Sequence, residues 1–206
     1  MLKITSINFV NSTLEKNNSW KILDIGCGYR ANKNATVIAD IQDFSSFYKE
    51  KKFIKINEPK LHFNDKEFDF VIASHVIEHD EDFEFFIKEL ERISSKGYIE
   101  LPSRLGDNLV FENKNDHIWW FTYDDIKNEI IASKRNQLID PFVTVSMAKH
   151  FEEIFRESFV LELAWQDSIE FTIDNKIRND SHHKISFFQL VRKYISKKIR
   201  TFIRSK

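Results

Sequence analysis

Glycine and proline are scarce in this 206-residue chain, at 4 and 3 residues, and cysteine occurs once. So little glycine and proline leaves scant material for flexible linkers or disorder, which argues for one domain around one core. A lone cysteine, Cys27, excludes an intramolecular disulfide and a thiolate zinc cluster, and fits a reducing compartment. Long apolar runs are missing too: no stretch approaches the ~18 residues needed to span a bilayer. The first residues, M-L-K-I-T-S-I-N-F-V-N-S, lack the apolar core and cleavage site of a secretion signal, so a cytoplasmic protein is expected.

Phenylalanine, by contrast, is abundant at 20 residues. Charge is unevenly placed under a net value of −1, because eight basic residues and no acidic ones lie between Lys184 and Lys206. The body is therefore acidic and the tail basic. Two segments are expected, a globular domain over 1–183 and a basic amphipathic helix over 184–206. In that helix Phe188, Val191, Ile195, Ile199 and Phe202 form one stripe with bases opposite. Such a helix suits peripheral contact with anionic lipid at the inner face of a membrane, a partner protein, or packing on the acidic body. With no basic patch in the body, nucleic acid is not an expected partner.

Short apolar runs at 20–25, 37–40, 52–56, 68–73 and 97–101 read as buried strands. Between the last two, Phe83, Phe86, Ile87, Leu90 and Ile93 recur at helical spacing. This alternation predicts an α/β fold: a Rossmann-like, mostly parallel seven-stranded sheet with helices on both faces. Thr122 followed by Asp125 reads as a helix start, with Ile126, Ile130 and Ile131 as its apolar stripe. The runs S-F-V-L-E-L-A-W and S-I-E-F-T-I-D, separated by Q-D, predict a C-terminal antiparallel hairpin.

The chemistry concentrates in I-L-D-I-G-C-G-Y-R, residues 22–30, read with Asp40. Glycines after a strand let a ligand approach the backbone, and a carboxylate ending the next strand can accept both hydroxyls of a ribose. A dinucleotide would also want a third glycine and a helix N-terminus for its pyrophosphate. Arg30 stands where that glycine would be, and only one or two helical turns fit before Val37. S-adenosylmethionine carries no phosphate, and its sulfonium suits the nearby Asp24.

Over roughly residues 20–101 the chain resembles the class I S-adenosylmethionine-dependent methyltransferases, in particular small bacterial methyltransferase-domain proteins. D-I-G-C-G matches the family's first motif, Asp40 its ribose-binding acid, and F-D-F-V-I-A-S-H-V-I-E-H its fourth strand and following turn. The resemblance implies cofactor contacts from Asp24, Gly26, Cys27, Gly28, Asp40 and Ile41. Further contacts are implied from Asn57 and Glu58, where Asn57 replaces the family's usual acid, and from Ser74 and His75. It also implies methyl transfer to a small-molecule or glycan-linked acceptor, as in surface-polysaccharide pathways.

For the remaining roles the residues themselves suggest His75, His79 and His117 as candidate general bases, His117 and His79 foremost, with Arg104, Trp119 and Tyr123 shaping an acceptor pocket. Trp119 and Trp120 equally suit a cap on the sheet, and Arg104 a solvated surface position. His75, Glu78 and His79 also spell H-x-x-E-H, a zinc-hydrolase pattern. Just past a strand end rather than inside a long helix, the motif fits the methyltransferase turn better, and no metal is expected. A methyltransferase-like module that binds without catalysing is the other alternative.

Overall fold

The computed structural model describes residues 1–175, 184 and 186–204. The domain boundary expected after residue 183 adjoins residues outside that description, as do Ser205 and Lys206 at the end of the expected tail helix.

In chain order come β1 (Leu2–Ile4), α1 (Ile7–Lys16), β2 (Ile22–Ile25), β3 (Val37–Asp40), β4 (Lys52–Lys55) and β5 (Phe70–Ser74). A 3-10 turn (Ile77–His79) leads to α2 (Phe83–Ile93) and β6 (Lys96–Pro102). Then follow α3 (Arg104–Leu109), α4 (Asn113–Asp116), β7 (Trp119–Asp124) and β8 (Glu129–Lys134). The chain continues through α5 (Val145–Ile154), α6 (Arg156–Phe159), β9 (Val160–Gln166), β10 (Phe171–Ile173) and α7 (Phe187–Arg204).

Seven strands form the main sheet in the order β1-β9-β6-β5-β2-β3-β4, and β10-β8-β7 form a second, small one. The pairings from β6 through β4 are all parallel, whereas β9 runs antiparallel to both β6 and β1. The parallel strands are apolar on both faces, as burial from both sides requires. Alternate residues of β2 divide between two cores. Leu23 and Ile25 face α2, whose Phe83, Phe86, Ile87, Leu90 and Ile93 are the periodic residues of the sequence, and this core takes in the small sheet. Ile22 faces the other way, toward Val10 and Leu14 of α1. Asp82 caps α2 by accepting the Phe85 N–H at 3.1 Å.

Three expectations are corrected. The helix expected from Thr122 is instead the β7–β8 hairpin, paired from Trp119↔Lys134 to Asp124↔Glu129. Asp124 Oδ1 accepts the N–H groups of Ile126 and Lys127, and Asn128 adopts φ +58°, so the polar residues taken for a helix start build a turn. Ile126, counted in the apolar stripe, is 92% exposed at its tip.

The C-terminal hairpin does not form. β9 inserts between β1 and β6, pairing with β6 from Lys96↔Gln166 to Pro102↔Val160, and β10 joins β8 in parallel in the other sheet. A single bridge between Gln166 and Ser168 is all that links the two runs directly.

Finally, no helix fills the crossover from β2 to β3. The Lys51 ammonium holds that loop instead, donating to the carbonyls of Asn32, Lys33 and Ala35 at 2.9–3.1 Å.

Candidate active site

From β2 the chain crosses to β3 and β4 on one side, while β5 leads to β6 on the other. The sheet order thus reverses between β2 and β5, and open α/β sheets bind ligands beyond the carboxyl ends of the strands at such a point. The glycine turn follows β2 there, and the H-V-I-E-H turn follows β5.

Gly26 and Gly28 both adopt left-handed backbone, at φ +71° and +48°. A side chain on Gly26 would lie 2.2 Å from Val76 Cγ2, so the two turns touch. In front of Gly28 nothing lies within 4 Å of where a Cβ would be, leaving open space over the backbone. The Gly28 N–H donates to Asp40 Oδ2 at 2.9 Å, while Asp40 Oδ1 accepts from the Gln42 N–H at 2.9 Å. Each oxygen keeps a second lone pair for hydroxyl donors. Tyr48 fastens the turn, accepting the Ala31 N–H and donating to the Gly28 carbonyl, both at 2.9 Å.

Asp24 is buried at the end of β2. Burial pushes its pKa up to about 7 although the Asn32 N–H, 2.6 Å from Oδ2, favours the ionised form. Cys27 is a buried filler, its thiol pushed up to about 12 by burial. Among the other residues expected near a cofactor, Ile41 is 71% exposed, and Asn57 and Glu58 are exposed after β4. Ser74 ends β5 half-buried.

At His75 the backbone turns to φ +54°. Its Nδ1 faces Glu78 Oε1 at 3.2 Å and its Nε2 faces Glu100 Oε1 at 3.1 Å. Burial works against charge on this ring, but the Glu100 and Glu78 carboxylates outweigh it and lift the pKa to about 10. The imidazolium belongs to a buried chain of charge. Glu100 also accepts from the Tyr98 hydroxyl and pairs with Arg156, whose Nε reaches Glu162 Oε2 at 3.0 Å. Both ring nitrogens of His75, the first residue of H-x-x-E-H, are thus turned to carboxylates.

The other histidines meet in front of it. His79 and His117 are in edge-to-face contact with centroids 4.6 Å apart. With His75 they line an open cavity of about 320 Å3, together with Pro102, Gly106 and residues of α4 and α5. His117 Nδ1 lies 2.6 Å from Asp107 Oδ1 on α3, and Asp107 also accepts from Trp120 Nε1 at 2.5 Å and pairs with Arg135 at 2.8 Å.

The acceptor residues expected from sequence are elsewhere. Trp119 is buried against Phe83 and donates to the Asp80 carbonyl at 3.0 Å. Tyr123 sits where the hairpin meets β1, accepting from Asn128 at 2.7 Å. Arg104 donates to Ser133 at 3.2 Å and stacks over Trp120. None of the three lines the cavity. Sequence reasoning missed Asp107, Glu100 and Arg156, since their partners lie 10, 25 and 56 residues away with no spacing to announce them.

A family model described as a methyltransferase domain matches residues 34–99, from the approach to β3 through most of β6, with Asp40 and the H-V-I-E-H turn inside it. Over these residues, about a third of the chain, the sequence is similar to that domain. The glycine turn precedes the matched stretch and rests against it through Val76. No curated protein matches the chain.

Solved structures similar to it include the YcgJ protein of Bacillus subtilis, at 18% identity over 47% of this chain and 51% of that one, TM-score 0.38. The chain thus spans about half of that protein. An S-adenosylmethionine-dependent methyltransferase from Mesorhizobium loti shares 11% identity over 75% of this chain and 96% of that one, TM-score 0.43. A Burkholderia thailandensis 1,6-didemethyltoxoflavin-N1-methyltransferase, with bound 1,6-didemethyltoxoflavin and S-adenosylhomocysteine, shares 8% over 78% and 77%, TM-score 0.44.

The glycine turn fits S-adenosylmethionine on its own geometry. The space over Gly28 admits the ligand backbone-close, Asp40 offers two acceptors for hydroxyls, and Asp24 is a buried carboxyl whose ionised form a bound cation would favour.

Proposed function

We propose that the chain is an S-adenosylmethionine-dependent methyltransferase acting on a small-molecule or glycan-linked acceptor. The observation that carries this is the glycine turn bonded to Asp40 at the switch point of the sheet, beside a stretch matching a methyltransferase domain.

Asp40 and the Gly28 backbone would hold the nucleoside, and Asp24 the cationic end. When bound, the cofactor supplies an electrophilic methyl group on sulfur. Methyl transfer then asks the protein chiefly to align an acceptor and keep water out. His117 and His79 present ring nitrogens to the acceptor cavity, where they can take a proton from a hydroxyl or amine. Asp107 fixes the His117 ring, and His75 anchors the turn through Glu78 and Glu100 without serving as a base. A cavity of about 320 Å3 is at the small end of ligand pockets, which supports a small acceptor or a single sugar unit.

The reading assigns residues 1–183 to catalysis and 184–206 to contact with an anionic membrane surface. Its support is that the apolar residues described on α7 are exposed. Among the described residues no helix is long and apolar enough to cross a membrane.

Calorimetric titration with S-adenosylhomocysteine tests the cofactor. Micromolar binding is expected, reduced at least ~30-fold in Asp40→Ala, about 2 kcal/mol for lost charge-assisted hydrogen bonds. A folded wild type that does not bind would sink the reading.

A further inference from the structure

Methyl transfer leaves one arrangement at this cavity unexplained. An oxygen of Glu78 and one ring nitrogen each of His79 and His117 all lie within 4.8 Å of one another.

Each group is held from behind. His79 Nδ1 faces the Asp116 carbonyl at 2.9 Å, and His117 Nδ1 faces Asp107 Oδ1 at 2.6 Å. A ring nitrogen turned to such an oxygen carries the proton, so Nε2 of each neutral ring is a bare lone pair. Glu78 is fully buried; its Oε1 takes His75, and its Oε2 has no hydrogen-bond partner. A buried carboxylate oxygen without a partner is costly, and a cation relieves that cost.

We propose that Glu78, His79 and His117 form a site for a divalent transition-metal ion of the zinc class, open to the acceptor cavity. Two imidazoles and a carboxylate with a free position are a zinc ligand set. The carboxylate behind His117 is the outer partner that orients a metal-bound imidazole, and Arg135 and Trp120 hold that carboxylate in turn. At bond lengths near 2.1 Å, tetrahedral ligands sit about 3.4 Å apart, so the three groups draw in by roughly 1 Å on binding. His79, exposed at the cavity mouth, has room for that shift.

This is not the H-x-x-E-H site. Glu78 becomes a ligand rather than a base, and His75 stands behind it, binding nothing but carboxylates. The free position takes an oxygen donor, a water or an acceptor hydroxyl. A metal there uses the lone pairs that otherwise meet the acceptor directly, and favours loss of the hydroxyl proton by its charge. The site does not depend on the methyltransferase reading, because metal binding is measured with no nucleoside present.

The test is a competition titration of the chelator-stripped full chain with Zn2+ against a chromophoric chelator, with Co2+ as a visible-absorption probe of coordination. One Zn2+ per chain is expected, with a Co2+ spectrum typical of four ligands. His79→Ala and His117→Ala should each weaken binding at least ~10-fold. Asp107→Asn, a positioning variant, should weaken it ~10–100-fold and alter the Co2+ spectrum. His62→Ala and His150→Ala, at exposed positions elsewhere, should bind as the wild type does. The proposal is overturned by absence of stoichiometric binding. It is equally overturned by binding that survives loss of His79 and His117 but disappears when His182 and His183 are replaced.

Discussion

At the scale of single residues, the close approach of Gly26 and Val76 ties the turn after β2 to the turn after β5. Gly26→Ala combines a left-handed backbone with a Cβ 2.2 Å from Val76 Cγ2, and should cost about 2–4 kcal/mol in denaturant unfolding. Val76→Ala in the same chain should recover part of that loss, and a neutral Gly26→Ala would mean the two turns do not touch. Asp24 predicts a pH dependence of opposite sign to that of a salt-bridged acid. Its folded pKa, near 7, lies above the ordinary 3.8, so the folded state holds a proton that the unfolded chain has released. Stability therefore falls as pH rises through that window, by up to about 1.4 kcal/mol per unit. Urea midpoints measured from pH 4 to 8 should show this slope in the wild type and lack it in Asp24→Asn. The acidic and glycine residues of the first turn were legible because ligand chemistry ties them to adjacent strand ends. Asp107 was not, because its role comes from a ring ten residues on that only the tertiary fold brings to it.

Among elements, those with strong periodicity were readable and those defined by long-range pairing were not. The five parallel strands and α2 stand within two residues of where apolar runs and helical spacing put them. The β7–β8 hairpin was misread because T-Y-D-D-I-K-N carries the residues of a helix start, and an Asx turn uses the same polar side chains. What decides between them is the burial of Trp119, Phe121, Ile130 and Ala132 against α2 on a period of two. Trp119→Ala should thus destabilise by about 3–5 kcal/mol through lost core packing. Asp124→Ala should cost only about 1 kcal/mol at the turn. Equal effects from the two, by thermal or chemical unfolding, would contradict the hairpin. In the same way β9 and β10 look like a hairpin by sequence alone, because nothing local reveals that β6 and β8 compete for them.

For the whole molecule, the basic end of the sequence falls on a single helix. Helix α7 carries six basic residues and no acidic one over Phe187–Arg204, and Phe188, Leu190, Tyr194, Ile195, Ile199, Phe202 and Ile203 are all more than half exposed. Packing on the acidic body, another fate expected for this segment, would bury that stripe. Each basic residue near an anionic bilayer contributes about 1 kcal/mol, screened by salt. Co-sedimentation should find the full chain on phosphatidylserine vesicles at low salt and off neutral ones, and a chain ending at residue 186 on neither. Equal binding by the shortened chain would remove the membrane role. The placement of β9 reaches beyond the finished structure to its assembly. Leu2 pairs with Trp165, and among the described residues β1 has no other partner in the sheet. During synthesis β1 must wait for β9, so the growing chain can assemble its parallel strands while β1 stays unpaired. The edge of the sheet closes only when nearly all the described body has been translated, making that closure a late and slow step of folding.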